Sequence, residues 1–107
     1  MSQRPEIQKI ESLIKGNRVA LFMKGTPQFP MCGFSARAVE VLKAAGVEEK
    51  EIASINVLED EAVRTAIKEY SNWPTIPQVY VKGQFLGGSD IVMEMYESGE
   101  LQELLKN

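Results

Sequence analysis

The sequence contains no histidine and only one cysteine, Cys32. Without histidine, a single chain cannot build a Cys–His nucleophilic pair, a Ser–His–Asp triad or a histidine-bearing zinc site. A lone cysteine cannot close an internal disulfide, so the chain is not a disulfide-stapled secreted module. Whatever chemistry Cys32 performs must therefore use backbone groups, lysine, arginine or a molecule supplied from outside.

The chain also lacks long hydrophobic runs, and its net charge is small. No apolar run approaches the roughly 18 residues that span a bilayer, and the N-terminus lacks the apolar region of a secretory signal. The net charge of −3 argues against a nucleic-acid surface. A length of 107 residues with 44% hydrophobic and 25% charged residues is typical of one ordinary soluble domain. We therefore expect one domain over residues 1–107, without a nucleic-acid or membrane partner, in the cytoplasm or another reducing compartment.

The apolar pattern along the chain predicts an α/β fold. Helical spacing alternates with short apolar runs, and glycines close several of the helices. The predicted elements are a helix over 5–16, a strand over 19–23, a helix over 34–45, a strand over 52–57, a helix over 62–70, strands over 78–81 and 84–86, and a helical C-terminus broken near Gly99. A βαβ unit requires a parallel strand pair, whereas the tight Lys82-Gly83 hairpin requires an antiparallel pair. The order predicts a mixed, four-stranded sheet with helices on both faces.

Cys32 lies in a loop between a buried strand and a helix that begins at Gly33 or Phe34. Ligands of α/β sheets bind beyond the carboxyl ends of strands, where this loop is expected. A helix N-terminus offers free N–H groups and a partial positive charge, and both favour a thiolate. Lys24, in the same loop, adds a full positive charge. These features favour a reactive cysteine; the alternative is an inert buried one.

Two further segments have the composition of ligand-binding loops, although each also has a simpler interpretation. Trp73–Gln78 contains two prolines just before a strand, which force an extended approach to it; the simpler interpretation is a rigid turn. Gly87–Asp90 ends the hairpin and opens a helix, with Ser89 and Asp90 as candidate N-cap residues. Free N–H groups there could receive a carboxylate, but a turn and a cap explain the same residues. Glu48–Glu51 is expected to be a solvated loop.

Four segments lie in order and in register along the chain: Lys24-Gly25-Thr26-Pro27, Cys32-Gly33-Phe34-Ser35, Trp73-Pro74-Thr75-Ile76-Pro77-Gln78 and Gly87-Gly88-Ser89-Asp90. Together they resemble one family, the monothiol glutaredoxins of the CGFS type. Their spacing matches across nearly the whole chain. The resemblance implies a thioredoxin fold, with glutathione as the molecule supplied from outside.

The resemblance also implies roles for individual residues around the cysteine. Cys32 resembles the nucleophile and cluster ligand of the family. Lys24 resembles the lysine that pairs with the glycine carboxylate of glutathione and lies near the thiolate. Arg64 is on the third predicted helix, off its apolar face, and would otherwise be interpreted as a solvated charge. It resembles the helix arginine that contacts the same end of glutathione.

The two other segments are implied to bind the rest of the glutathione molecule. Ile76, which precedes a cis-Pro77 in the family, would pair with the cysteinyl backbone of glutathione as a short antiparallel strand. Ser89 and Asp90 would hold the γ-glutamyl end. Many relatives have a second cysteine where this chain has Ser89, so an internal disulfide with Cys32 is excluded here.

The function implied by the resemblance is iron–sulfur cluster assembly or transfer and iron and redox homeostasis. A [2Fe–2S] cluster normally takes four thiolate ligands, and two chains with two glutathione molecules would supply them. The holo form would then be a homodimer bridged by the cluster, and the apo form a monomer. BolA-like proteins and iron–sulfur apoproteins are the implied partners.

Two other functions use the same residues. Cys32 could act as a glutathione-dependent monothiol oxidoreductase that removes glutathione from protein mixed disulfides. Exchange by a dithiol would need a second cysteine where Ser35 stands. Cys32 could also serve only as a reversible glutathione acceptor in a redox-sensing adaptor.

Overall fold

The computed structural model describes residues 4–106, so Met1–Gln3 and Asn107, the two ends of the predicted domain, lie outside the described residues. The elements are α1 (Pro5–Gly16), β1 (Val19–Met23), α2 (Gly33–Ala44), β2 (Ile52–Asn56), α3 (Glu61–Ser71), β3 (Gln78–Val81), β4 (Gln84–Gly87), α4 (Ser89–Ser98) and α5 (Glu100–Leu105). Their order is the predicted one. In this part of the chain, no helix combines the length and apolar character needed to cross a membrane.

The strands form a mixed sheet in the order β2-β1-β3-β4. β1 is parallel to β2, while the β1–β3 and β3–β4 pairs are antiparallel. Lys82 and Gly83 both have positive φ angles, 53° and 82°, as the two-residue turn between β3 and β4 requires. The mixed four-stranded α/β architecture is confirmed.

Strand β1 is the centre of the core because all five of its residues are buried. Side chains alternate between the two faces of a strand. Val19, Leu21 and Met23 therefore pack in one cluster with α2, α4 and α5, while Ala20 and Phe22 pack in the other with α1 and α3. Helices thus cover both faces, which explains why the strand is apolar throughout rather than alternating.

The segment predicted as a solvated loop contains a short 3-10 turn at Glu49–Glu51 instead. The turn is stabilised by a reciprocal capping box, in which the Glu48 backbone N–H donates to Glu51 Oε1 at 2.9 Å. A second contact fixes it to the fold, since Arg18 Nη1 lies 3.1 Å from Glu51 Oε2. The exposure predicted from charge is confirmed for Glu48 and Lys50, and none of the turn residues is buried. The turn itself follows from the capping spacing between Glu48 and Glu51, which charge alone does not indicate.

The strand directions bring several chain segments to one edge of the sheet. Because β1 and β2 are parallel, their carboxyl ends, Met23 and Asn56, lie side by side there. β3 runs in the opposite direction and begins at this edge with Gln78, while β4 ends near it at Gly87. The Cys32 loop, the residues before β3 and the start of α4 therefore meet at the same end of the sheet.

Candidate functional site

A cleft of about 560 Å³ lies at this edge of the sheet. Its size is within the range of roughly 300–1,000 Å³ that small-molecule sites occupy. The cleft is lined by Lys24, Cys32, Phe34, Arg64, Lys68, Trp73, Pro74, Thr75, Ile76, Pro77, Gly88, Ser89, Asp90 and Ile91. All seven residues singled out in the sequence therefore line one cavity, although they come from the loop between β1 and α2, from α3, from the residues before β3 and from the start of α4.

Cys32 occupies the N-cap position of α2, with extended backbone angles of φ −159° and ψ 138°. Its side chain is partly exposed. The Ser35 backbone N–H lowers the pKa of the Cys32 thiol most, and the Phe34 N–H lowers it further; partial burial opposes both. The helix start thus favours the thiolate, as its position in the sequence predicted.

Lys24 follows β1 directly and contributes to the same effect on the cysteine. Its positive charge also lowers the pKa of Cys32, by Coulomb attraction of the thiolate. Two hydrogen bonds place its backbone: the Lys24 N–H donates to Ser35 Oγ at 3.0 Å, and the Met31 N–H donates to the Lys24 carbonyl at 2.9 Å. Ser35, which is fully buried, therefore connects the lysine loop to the helix start that carries the cysteine.

Gly25 allows the loop to turn back on itself beside the cysteine. Its φ of +91° is in the region that favours glycine, and a Cβ atom there would lie 2.4 Å from the Phe29 carbonyl oxygen. Its N–H donates to Asn56 Oδ1 at 2.9 Å, and the same oxygen accepts from the Leu58 N–H at 3.0 Å. Asn56 therefore ties the lysine loop to the segment that leads into α3.

The Ile76–Pro77 peptide bond is cis. Both residues line the cleft. Among residues 4–106, no hydrogen bond uses the backbone N–H or C=O of Ile76. This residue can therefore offer both groups to an extended ligand.

The start of α4 corrects one detail of the prediction. The N-cap is Gly88, and neither Ser89 nor Asp90 caps the helix with its side chain, because both already belong to its first turn. Ser89 is buried, whereas Asp90 is exposed and lies 3.6 Å from Arg37 Nη1. The first N–H groups of α4 thus lack side-chain acceptors, which suits an anionic ligand.

Helix α3 contributes two cations rather than one. Arg64 is half-buried and lines the cleft, so it is not simply a solvated charge. Lys68, which sequence reasoning missed, lines the cleft as well. Residues at positions i and i+4 share a helix face, and this spacing from Arg64 is the signal that could have identified it. With Lys24, these residues place three cations in the lining of the cleft.

Fold and site together define a thioredoxin-fold protein with a single activated thiol at the start of α2. Residues 19–86 match the family model described as Glutaredoxin. The chain is 52% identical over 98 residues to the ycf64-like monothiol glutaredoxin of Synechocystis sp., covering 92% of this chain and 89% of that protein.

Two solved structures are also similar. The solution structure of reduced poplar apo GrxS14 superposes with a TM-score of 0.78 at 47% identity, over 91% of this chain and 86% of that one. The crystal structure of a buckwheat glutaredoxin–glutathione complex gives 0.80 at 25% identity, over 94% and 86%. This chain belongs to the glutaredoxin family, among the monothiol glutaredoxins. The thioredoxin fold implied by the four segments is thereby confirmed.

Removing the positive charge beside the cysteine gives the first prediction. In Lys24→Ala, we expect the pKa of Cys32 to rise, because the Coulomb attraction of the thiolate is lost. The pH profile of alkylation by iodoacetamide should then move to higher pH. We also expect glutathione to bind about ten- to a hundredfold more weakly, because a hydrogen bond to a charged group contributes roughly 1.5–3 kcal/mol.

Lys15→Ala is the matched control, because it also removes one lysine charge, but from the last turn of α1 and outside the cleft. Its alkylation profile should equal that of the wild type. An unchanged profile in Lys24→Ala as well would show that Lys24 does not act on the thiolate.

Proposed function

We propose that this protein binds glutathione in the cleft and carries a [2Fe–2S] cluster that is held by Cys32 and glutathione. The observation that carries the proposal is the convergence of Lys24, Arg64, Ile76 and the α4 start around one thiol whose pKa is lowered. Glutathione is a short peptide with a carboxylate at each end and a thiol between them. The cleft offers a complementary group to each part of it.

The proposed pose assigns each end of glutathione to a different side of the cleft. The glycine carboxylate would pair with Lys24 and Arg64. The cysteinyl backbone would add to the free N–H and C=O of Ile76 as a short antiparallel strand beside Pro77. At the start of α4, backbone N–H groups and Ser89 would receive the γ-glutamyl carboxylate, while Asp90 would pair with its amino group. The glutathione thiol would then lie near Cys32.

The proposed binding of a [2Fe–2S] cluster is based on the number of ligands that one chain can supply. Among residues 4–106, no group of three or more His, Cys, Asp or Glu side chains could hold a metal. Cys32 is partly exposed and has a lowered pKa, so it suits a cluster ligand that must meet others from outside. With two chains and two glutathione molecules, four thiolates are available. The holo protein would therefore be a homodimer, and loss of the cluster would return it to monomers.

The surface beside the thiol supports this assembly. Phe29, Met31 and Phe34 surround Cys32 in sequence and are 79%, 67% and 59% exposed. Large apolar side chains that are this exposed and this close together along the chain favour a surface that another protein covers. We propose that it faces the second copy in the dimer, and BolA-like proteins or iron–sulfur apoproteins during transfer, in the cytoplasm or another reducing compartment.

The test is to reconstitute the protein anaerobically with iron, sulfide and glutathione, and to record its visible spectrum and solution mass together. A coloured dimer that becomes a colourless monomer when the cluster is oxidised supports the proposal. Omitting glutathione should prevent both colour and dimer. A colourless monomer under all conditions contradicts the cluster role.

A second function is favoured by the lowered pKa of Cys32. The thiolate would attack the glutathione sulfur of a protein mixed disulfide, forming a Cys32–glutathione disulfide and releasing the protein thiolate, which takes up a proton. A second glutathione thiolate would then attack the glutathione sulfur bound to Cys32, releasing oxidised glutathione and the Cys32 thiolate. One cysteine suffices for this cycle. A mixed-disulfide reductase assay on the colourless monomer tests it.

A further inference from the structure

Gln78 is a buried polar residue to which the proposed binding mode assigns no role. It is the first residue of β3, directly after Pro77, and its side chain is completely buried. Its amide nitrogen donates to the Trp73 carbonyl at 3.2 Å and to the Thr75 carbonyl at 3.3 Å. One side chain thus satisfies two backbone carbonyls of the segment that carries Ile76.

The orientation of the Gln78 amide is fixed by its partners. Two carbonyl oxygens can be satisfied only by the NH₂ end, so the amide oxygen must point the other way. There it accepts a hydrogen bond from the Tyr80 hydroxyl at 3.3 Å. Each polar atom of the buried amide therefore has a partner, and no rotation of the amide would preserve all three bonds.

Tyr80, which donates to the Gln78 amide oxygen, is itself held in place by packing in the core. Its hydroxyl is protonated at neutral pH, as in any tyrosine, and burial raises its pKa further, to about 12. Its ring contacts Phe22 with centroids 5.7 Å apart and Phe85 at 5.1 Å. Phe85 in turn contacts Trp73, with ring centroids 5.6 Å apart. The core therefore holds both ends of the segment between Trp73 and Gln78.

We propose that Gln78 is a positioning residue that sets the Ile76 backbone in register to bind glutathione. The inference rests on the glutathione binding proposed above and adds a residue that does not itself line the cleft. Without its two N–H donors, the Trp73 and Thr75 carbonyls would have to turn toward water. Because Ile76 follows Thr75 directly, its free N–H and C=O would then lose their fixed direction.

Gln78 should act on glutathione binding and not on the acidity of the thiol. The groups that lower the pKa of Cys32 are the Ser35 and Phe34 backbone, the Ser35 hydroxyl and Lys24. All of them belong to the lysine loop or to α2, outside the segment that Gln78 holds. The two properties can therefore be measured separately in one variant.

The experiment compares Gln78→Met and Gln78→Glu with the wild type. Methionine preserves the length of the side chain without hydrogen-bond donors, and glutamate places an acceptor against two carbonyls. Val81→Ala is the control: it removes buried volume at the other end of the same strand. The main measurement is the equilibrium between Cys32 with oxidised glutathione and the mixed disulfide with released glutathione. The pH profile of alkylation is measured beside it.

We expect the mixed-disulfide equilibrium constant to fall about tenfold in Gln78→Met, as the loss of two hydrogen bonds suggests. The alkylation profile should stay at its wild-type position, and Val81→Ala should change neither quantity. Equal equilibrium constants in Gln78→Met and the wild type would overturn the proposal, as would an equal fall in Val81→Ala. If the wild type itself forms no mixed disulfide and binds no reduced glutathione, the proposed function fails instead. Gln78→Met still tests the inference if Gln78→Glu does not fold.

Discussion

Cys32→Ser is expected to abolish both the visible absorption of the reconstituted protein and its dimerisation. Within residues 4–106 the chain has no other thiol, and no group of three or more His, Cys, Asp or Glu side chains could hold a metal ion. A hydroxyl at this position is neither a thiolate ligand nor a nucleophile toward disulfides at neutral pH. We therefore expect cluster content and mixed-disulfide formation below detection, measured by iron analysis and by mass spectrometry after exposure to oxidised glutathione.

The fold should survive the same substitution. Cys32 is outside both core clusters and occupies the N-cap of α2 without a side-chain cap bond. Serine is among the preferred N-cap residues, so Cys32→Ser should leave the free energy of unfolding unchanged or raise it by about 0.5–1 kcal/mol. Cys32→Ala separates the two effects, because it removes the thiol without adding a cap. Stoichiometric iron in either variant would refute the ligand assignment.

The architecture could be predicted from the sequence because its strongest patterns are local. Val19–Met23 has the continuous apolar character of a strand covered on both faces, and helices α1 and α3 lie on one face while α2, α4 and α5 lie on the other. Glycines near the helix ends and the Lys82-Gly83 turn set where elements stop. Each of these signals can be identified from residues close together in the chain, without knowledge of tertiary contacts. The tertiary structure agrees with them.

The details that escaped prediction depend on contacts between distant segments. The cis state of the Ile76–Pro77 bond cannot be derived from the dipeptide, since X–Pro bonds are usually trans and the surrounding fold decides. Serine is among the preferred N-cap residues, yet Ser89 is buried in the first turn of α4 and Gly88 is the N-cap of the helix. Residue type favoured a cap at Ser89, whereas the helix begins one residue earlier than that prediction requires.

The candidate site was predicted better than the residues that support it. Charged and nucleophilic side chains such as Lys24 and Cys32 stand out in a sequence because their chemistry suggests a ligand. Asn56 and Gln78 do not, because an amide has no distinctive chemistry until its partners are known. Their hydrogen bonds hold the lysine loop and the Ile76 segment in place, so the precision of the site depends on residues that only the structure identifies.

Gly25→Ala is expected to have the largest effect on stability among substitutions at the site. A Cβ atom at this position would lie 2.4 Å from the Phe29 carbonyl oxygen and 2.6 Å from the Met31 nitrogen, and both are backbone atoms that cannot swing aside. The φ of +91° adds a conformational cost for any residue with a side chain. We expect the free energy of unfolding, measured by urea denaturation, to fall by about 2–4 kcal/mol.

The same substitution should also weaken glutathione binding. The loop can relieve the contact only by moving away from Phe29 and Met31, and this movement displaces Lys24, whose carbonyl accepts from the Met31 N–H. The alkylation profile of Cys32 should therefore shift toward higher pH, in the same direction as in Lys24→Ala. A destabilised variant with unchanged glutathione affinity and an unchanged profile would contradict this coupling between loop and thiol.

Substitutions at two other glycines distinguish the two causes of the expected fall in the free energy of unfolding, the close backbone contact and the positive φ. Gly46 has a similar φ of +102°, but no atom lies within 4 Å of its hypothetical Cβ, so Gly46→Ala should cost only the conformational term of about 1–2 kcal/mol. Gly16 ends α1 with no positive φ and no near atom, and Gly16→Ala should be neutral or stabilising by about 0.5 kcal/mol. If Gly25→Ala costs no more than Gly46→Ala, the close approach of the Phe29–Met31 backbone is not what requires glycine beside the cysteine.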